Sequence, residues 1–313
     1  MSLPHSISHR LRLPLIAAPM FLVSGPDLVI AASRAGIIGS FPTANCRTLK
    51  ELNDWLTRIT QETLETAPYA PNLIVHRSNQ RLQDDLDLVA KHHAPLVIAS
   101  VGNPAPILDK IHEYGGLVFA DIASMRHAKK AIAAGADGLI LLSAGAGGQT
   151  GWANPFAFVR AVREIYGGPI VLAGGINDGI ALRAAITLGC DLAYMGTRFI
   201  ATRESMAVAG YKAMLVSAGL DDIMLTSAFT GLPTNKLRPS IKCAGLDPDD
   251  LPARAMINVS EDINPDKRPK RWRDIWSAGH SVAGVHDIPN VGKLIDRVAV
   301  EYETAEGATG EPT

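Results

Sequence analysis

The sequence predicts an α/β protein, a (β/α)8 or TIM barrel with a small, mostly helical C-terminal cap. Eight short apolar runs rich in β-branched residues alternate with longer amphipathic stretches. The runs are continuous rather than alternating in polarity, as expected for a parallel sheet buried on both faces. Several amphipathic stretches end at a glycine (Gly36, Gly135, Gly189), the residue that stops a helix in a left-handed conformation before the next strand. Eight such units favour closure into a barrel over an open doubly wound sheet. A chain of 313 residues also exceeds the roughly 250 that one barrel needs.

Taken in order, the expected strands are Leu13–Met20, Ile37–Pro42, Tyr69–Val75, Leu96–Val101, Leu117–Ile122, Leu139–Ala144, Ile170–Ile176 and Leu192–Phe199. The helices between them are Asp27–Ala35, Leu49–Glu62, Leu82–Lys91, Ile107–Tyr114, Met125–Ala134, Pro155–Ile165 and Gly179–Leu188. After Thr202 the rhythm breaks. Ser205–Ala218 reads as a helix, Thr226–Lys242 as irregular and polar-rich, and Asp247–Arg271, rich in Pro, Asp and Lys, as a solvated excursion. Arg273–Gly284 and Val291–Tyr302 read as closing helices. Residues 1–204 are thus expected to form the barrel core, and 205–313 a cap packed on its mouth.

Composition narrows the class of function. Apolar residues make up 47% of the chain and charged residues 19%, the balance of a globular protein with a large core. Lys and Arg number 30 against 31 Asp and Glu, so no basic excess points to nucleic acid or a membrane surface. Cys46, Cys190 and Cys243 are odd in number and widely spaced, which argues against a disulfide framework and fits a reducing compartment. Neither a signal core nor a run of about 18 apolar residues is present, so the expected location is cytoplasmic. No HxH, HExxH or carboxylate cluster signals a metal.

The chemistry of such a barrel sits at the C-terminal ends of its strands. The seventh strand ends in Leu172-Ala173-Gly174-Gly175-Ile176, and a helix follows Asn177-Asp178. Paired glycines let the backbone approach a bound group, and amides near a helix start attract phosphate. The eighth ends in Met195-Gly196-Thr197-Arg198-Phe199, where the Gly196 and Thr197 amides and the Thr197 hydroxyl would complete the cradle. Either loop alone could serve a tight turn. Two on the last two strands, where barrels recurrently bind phosphate, point to a phosphate site. Since no GxGxxG follows a first strand, the ligand is expected to be a mononucleotide rather than a dinucleotide.

Three further places stand out. Ala18-Pro19-Met20 ends the first strand as a rigid edge suited to a flat ring, or simply as a strand end with a buried Met. Asn72 is a polar residue in an apolar run and needs a partner, either a ring edge or a neighbouring backbone group. Ser143 to Gly151 holds more glycine than one turn needs, which implies backbone pressed on a ligand, and Gln149 is its only large polar side chain. His127 reads as a cap or surface residue, His92 and His93 as solvated, and His280 as a residue near the pocket mouth.

Together, Ala-Pro-Met, the Ala144–Gly151 loop, Leu172–Ile176, Met195–Phe199 and the late Ile275–Gly279 segment resemble the nitronate monooxygenase family of FMN barrels. The resemblance runs from Leu13 to about Val300. It implies FMN as cofactor, held by Ala18, Pro19, Met20, Asn72, Ala173, Gly174, Gly175, Gly196 and Thr197, with Gly147 and Gly148 beside the ring. It also implies oxidation of a small organic substrate such as an alkyl nitronate with O2. Relatives sharing the barrel instead reduce quinones or enoyl thioesters with NAD(P)H. Asp121 falls where some relatives carry a lysine near the cofactor.

One position departs from the family. Its glycine loop normally supplies a histidine base, and here that position is Gln149. An amide cannot accept a proton at neutral pH, so it orients a substrate but cannot deprotonate a neutral nitroalkane. Gln149, with His280 as a second candidate, is therefore the expected catalytic position.

Overall fold

In the computed structural model, which describes residues 3–252 and 274–307, strand β1 (Leu15–Ala17) pairs on one side with β2 (Ile38–Pro42) and on the other with β9 (Leu192–Met195). That second pairing closes the sheet. Between them run β3 (Tyr69–Ile74), β4 (Leu96–Ser100), β5 (Leu117–Ile122), β6 (Gly138–Leu142) and β8 (Ile170–Ala173), all parallel, making a closed eight-stranded barrel. Strand β7 (Gly148–Gln149) lies outside it.

Alternate residues fill the interior. Ile16, Ile38, Ile98, Phe119, Ile140 and Val171 form one buried cluster inside the barrel, while the outward set packs beneath the helices. The helices start where the sequence provides caps: Thr48, Ser124, Asn154 and Asp178 each accept a backbone N–H of the first turn. Gly135 and Gly189 end their helices at φ of 93° and 113°.

The expected strands overrun the observed ones at the mouth. Leu13–Met20 is a strand only over Leu15–Ala17, and Leu192–Phe199 only over Leu192–Met195, followed by a helical turn at Thr197–Ile200. Beyond the ladder Ala18–Met20, Gly196 and Thr197 line a cavity, while Phe199 turns back into the core.

The tail differs more. A helix forms at Ala209–Ser217, but Thr226–Lys242 is not irregular. It contributes to β10 (Ile223–Thr226) and β11 (Thr234–Leu237), an antiparallel pair extended by β7, and then to a helix at Arg238–Cys243. Arg273–Gly284 is not a helix over its described part: only His280–Gly284 coils, as a 3-10 turn. Most of Asp247–Arg271 lies outside the described residues.

The last helix, Val291–Gly307, does not sit on the mouth with the cap. Its Leu294, Ile295 and Val298 share a cluster with Leu182 and Ala185 on one side and Leu28 and Ala32 on the other. It occupies the eighth place in the helical ring, and a Cβ on Gly179 would lie 2.3 Å from the Val298 carbonyl oxygen.

Candidate active site

At the C-terminal ends of the strands the barrel filling changes from apolar to polar, and a cavity of about 290 Å³ opens. Asn72, Ser100, Asp121 and Tyr194 form its inner floor. The β8 and β9 loops make one wall, Ala18–Met20 another, and the β7 turn a third; Ile275–Ala278 and Ser281 from the tail help to line it. Of the residues singled out above, Ala18, Pro19, Met20, Asn72, Asp121, Gly147, Gly148, Gln149, Ala173, Gly174, Gly175, Gly196 and Thr197 all line this cavity. His280 does not. Its ring is exposed and packs against the outer side of Gly145, where a Cβ would lie 2.7 Å from Nδ1.

The β8 loop is shaped by conformation and by space. Gly174 and Gly175 have φ of 119° and 78°, the left-handed range that side chains resist. A Cβ on Gly174 would meet the Ser143 hydroxyl at 2.5 Å, because that hydroxyl donates to the Ala173 carbonyl at 2.6 Å. A Cβ on Gly175 would meet nothing within 4 Å, so this residue turns bare backbone toward open space in the cavity. Two amides at the start of the following helix are already bonded within the protein. Asp178 accepts from the Ala181 N–H and Glu301 from the Gly179 N–H, so these two donors serve the helix and the last helix of the chain. Across the loop, the buried Thr197 hydroxyl accepts from the Gly279 N–H at 2.9 Å and keeps its own proton to donate.

The Ala18–Met20 edge is fixed from behind. Ser24 accepts from the Met20 N–H, and Asn45 donates to the Met20 and Ser24 carbonyls. Asn72 finds its partners in protein: its amide nitrogen donates to the Ile98 carbonyl at 3.1 Å and to Ser100 at 3.0 Å. The amide oxygen is thereby left as the group turned to other donors.

The glycine loop owes its composition to a neighbour within the chain. A Cβ on Gly147 would lie 2.8 Å from the Gly279 nitrogen, and Gly279 is equally hemmed in by Gly145 and Gly147. His280 N–H donates to the Gly145 carbonyl and Asn235 to the Ala146 carbonyl, at 2.9 and 2.7 Å. Gly148, with φ of 67°, has nothing within 4 Å of where its Cβ would be. Gln149 then pairs with Thr234, and Gly148 with Asn235, so a strand from the tail sets the height of Gln149 at the cavity edge.

Several lining residues went unforeseen. Thr230 and Leu232 arrive on the β10–β11 hairpin, and Tyr211 stacks on Trp276 at 4.9 Å with its hydroxyl bonded to the Ser277 carbonyl. Tyr194, hidden in the run Leu192–Met195, was detectable only as a phenol at an inward position. Val101 lines the cavity with φ of 59°, strained for a β-branched residue.

The electrostatics are simple. Among the described residues no lysine, arginine or histidine lines the cavity. Burial pushes the Asp121 carboxyl up to about 7 and the Tyr194 phenol well above its ordinary range, the latter also through the nearby Asp121 charge. No group of three metal-ligating side chains occurs among the described residues, and no helix there is long and apolar enough to cross a membrane. The arrangement suits a planar ligand with a phosphate at the glycine loops and a second, apolar reactant under the tail.

Comparison with known proteins places this geometry. The family model described as nitronate monooxygenase matches residues 48–243. A nitronate monooxygenase of Paraburkholderia phytofirmans is 26% identical over 75% of this chain and 76% of its own length. The (3aS,4S,5R,7aS)-5-hydroxy-7a-methyl-1-oxo-octahydro-1H-indene-4-carboxyl-CoA dehydrogenase of Mycobacterium tuberculosis is 29% identical over 73% of this chain. The match spans 64% of that relative's length, and 63% of its counterpart's in Rhodococcus jostii. Among solved structures, FabK from Thermotoga maritima superposes with a TM-score of 0.81 at 25% identity, covering 98% of this chain and 99% of that one. Nitroalkane oxidase from Streptomyces ansochromogenes shares the fold, with a TM-score of 0.82 at 23% identity over 97% and 99% of the two chains.

Proposed function

Because the chain belongs to the nitronate monooxygenase family, we propose that it is an FMN-dependent oxidoreductase that oxidises an already anionic nitronate with O2. The observation that carries this reading is Gln149 at the cavity edge with no imidazole, ammonium or guanidinium among the described lining residues. A nitronate has lost its carbon-bound proton before it binds, so it asks for orientation and not for a base.

The residues present fit FMN. Gly175 leaves open space beside left-handed backbone, as a phosphate cradle requires, and Thr197 retains a hydroxyl proton to donate. Ala18–Met20 forms a stiff edge for a flat ring, and orphaned polar atoms on Asp121 and Tyr194 await a bound partner. When bound, FMN supplies the electron-transfer chemistry. The chain's part is to hold the phosphate with backbone, orient the nitronate oxygens with the Gln149 amide, and keep water away with Ile200, Leu232, Ile275 and Trp276.

That apolar wall, together with the carboxyl-CoA dehydrogenase and FabK likenesses, favours a second reading: NAD(P)H-dependent reduction of a quinone or an enoyl thioester. An anaerobic screen separates the two. Bleaching of bound flavin by an alkyl nitronate and not by NADH or NADPH supports the oxidase. The reverse pattern overturns it in favour of the reductase.

A further inference from the structure

Two polar groups on the cavity floor have no partner among the described residues: Oδ1 of Asp121 and the hydroxyl of Tyr194. Both side chains line the cavity, from β5 and β9 respectively. A buried polar atom left unpaired has given up its bonds to water with nothing in return. The other orphaned atoms among the described residues, on Ser33, Arg198 and Asp287, belong to residues that do not line the cavity; two orphaned atoms in one cavity point to a bound group that satisfies them.

The surroundings decide what kind of group. The strands flanking β5 turn Ser100 and Leu142 to the cavity, β3 turns Asn72, and Ala173 of β8 and Ala18 just past β1 add only methyl groups. Tyr194 is thus the one titratable side chain on the barrel strands that lines the cavity with Asp121. The Tyr211 phenol, raised by burial, lines it from the tail, and no cation among the described lining residues balances the carboxylate. Where some relatives in the resembled family carry a lysine, this chain presents a carboxyl.

We propose that Asp121 and Tyr194 act as a pair of neutral hydrogen-bond donors that grip an electron-rich acceptor atom of the bound flavin ring, so that cofactor binding holds a proton on Asp121. The inference rests on the FMN reading above. Burial without a compensating cation lifts the Asp121 carboxyl to about 7, which keeps a donor proton available around neutrality. The Tyr194 phenol, raised further, stays protonated throughout that range.

The sign of the pH dependence follows. If only the protonated acid binds the acceptor, affinity is level below the free-site titration and falls above it, by up to about tenfold per pH unit. Fluorescence titration of flavin-stripped protein with FMN, from about pH 6 to about pH 9, reads this directly, with a loss on the order of 100-fold expected across the range. Asp121→Asn keeps a donor but cannot titrate, so its profile should be level relative to the wild type. Ionisations of FMN itself enter both proteins alike and cancel in the ratio. Tyr194→Phe should weaken binding several-fold at every pH and keep the slope. A level wild-type profile overturns the proposal whether or not the variants fold, and so does a slope shared by wild type and Asp121→Asn. If the wild type binds no FMN at any pH, it is the flavin reading that fails.

Discussion

At one end of the cavity the chain offers backbone. The β8 loop holds Gly174 and Gly175 in left-handed conformations, and the only side-chain donor foreseen nearby is Thr197. At the other end it offers a side chain, Gln149, whose position is set by pairing with Thr234 from a distant part of the sequence. The difference matters for how each end changes. A backbone cradle tolerates no side chain where the ligand must sit but is indifferent to ligand chemistry beyond its charge. A side chain held by strand pairing can be exchanged, and the reaction with it, while the fold and the cofactor stay.

The sharpest way to break that contrast is Gly175→Val. A β-branched residue at φ of 78° is strained and puts methyl groups into the open space of the cradle. Losing two charge-assisted amide bonds at about 1.5–3 kcal/mol each weakens FMN binding by roughly 10²–10⁴-fold, before strain is counted. Equilibrium dialysis measures the loss, and circular dichroism checks that the barrel survives. Normal flavin content in a folded variant would show that the loop serves chain geometry alone.

At the other end, the expected effect is a gap between substrates. With Asp121 held protonated by the bound flavin and no histidine or lysine among the described lining residues, a neutral nitroalkane should reduce the flavin about 10²–10⁴-fold more slowly than its nitronate in single-turnover experiments. Gln149→His should narrow the gap, and increasingly so as pH rises through about 6.5 and the imidazole loses its proton. Equal rates for the two forms in the unaltered protein would mean that another group takes the proton. Asp121, whose carboxyl lines that cavity, would then be the group to test and would not be the protonated donor proposed above, whereas His280 lies outside the cavity.

The two ends also differed in how far the sequence disclosed them. Gly174, Gly175 and Gly196 are local signals: a strand run stops and glycine follows. The eight barrel strands were legible for the same reason, and only their ends were misjudged, where apolar residues such as Ala18 and Phe199 continue past the ladder. The tail was not legible. Gly231, Pro233, Asn235 and Lys236 break any strand pattern in Thr226–Lys242, and Gly148–Gln149 has no strand propensity of its own; the sheet exists only through long-range pairing. Arg273–Gly284 read as a helix, yet Gly279 must press its backbone on Gly147, which a helix there would prevent. Glycine density in the Ser143–Gly151 loop was a correct signal of close approach with an incomplete explanation, since Gly145 and Gly147 serve the chain's own tail.

Thr197 joins the two ends, because its hydroxyl faces the cavity and also accepts the Gly279 N–H. Thr197→Val keeps the shape and leaves that buried amide unpaired, at a cost of about 1–3 kcal/mol. Denaturant unfolding should register this loss without added flavin, and FMN affinity should fall as well. A loss of affinity with unchanged stability would mean that the hydroxyl serves the ligand only.

The smallest effect is expected from Gln149→Ala, and its size tests the contrast most finely. The backbone pairing of residue 149 with Thr234 does not depend on its side chain, so the β7–β11 junction and the flavin site should persist. What is lost is one neutral hydrogen bond to the nitronate, worth about 0.5–1.5 kcal/mol net, or roughly 2- to 12-fold in kcat/KM. Flavin content and the protein's melting temperature should be unchanged, which separates this variant from Gly175→Val and Thr197→Val. If Gln149→Ala instead abolished turnover, the amide would be making an interaction specific to the transition state, and mere orientation would not describe it. If the variant lost flavin, the two ends of the cavity would not be independent, and the backbone cradle would need the side-chain end to stay closed.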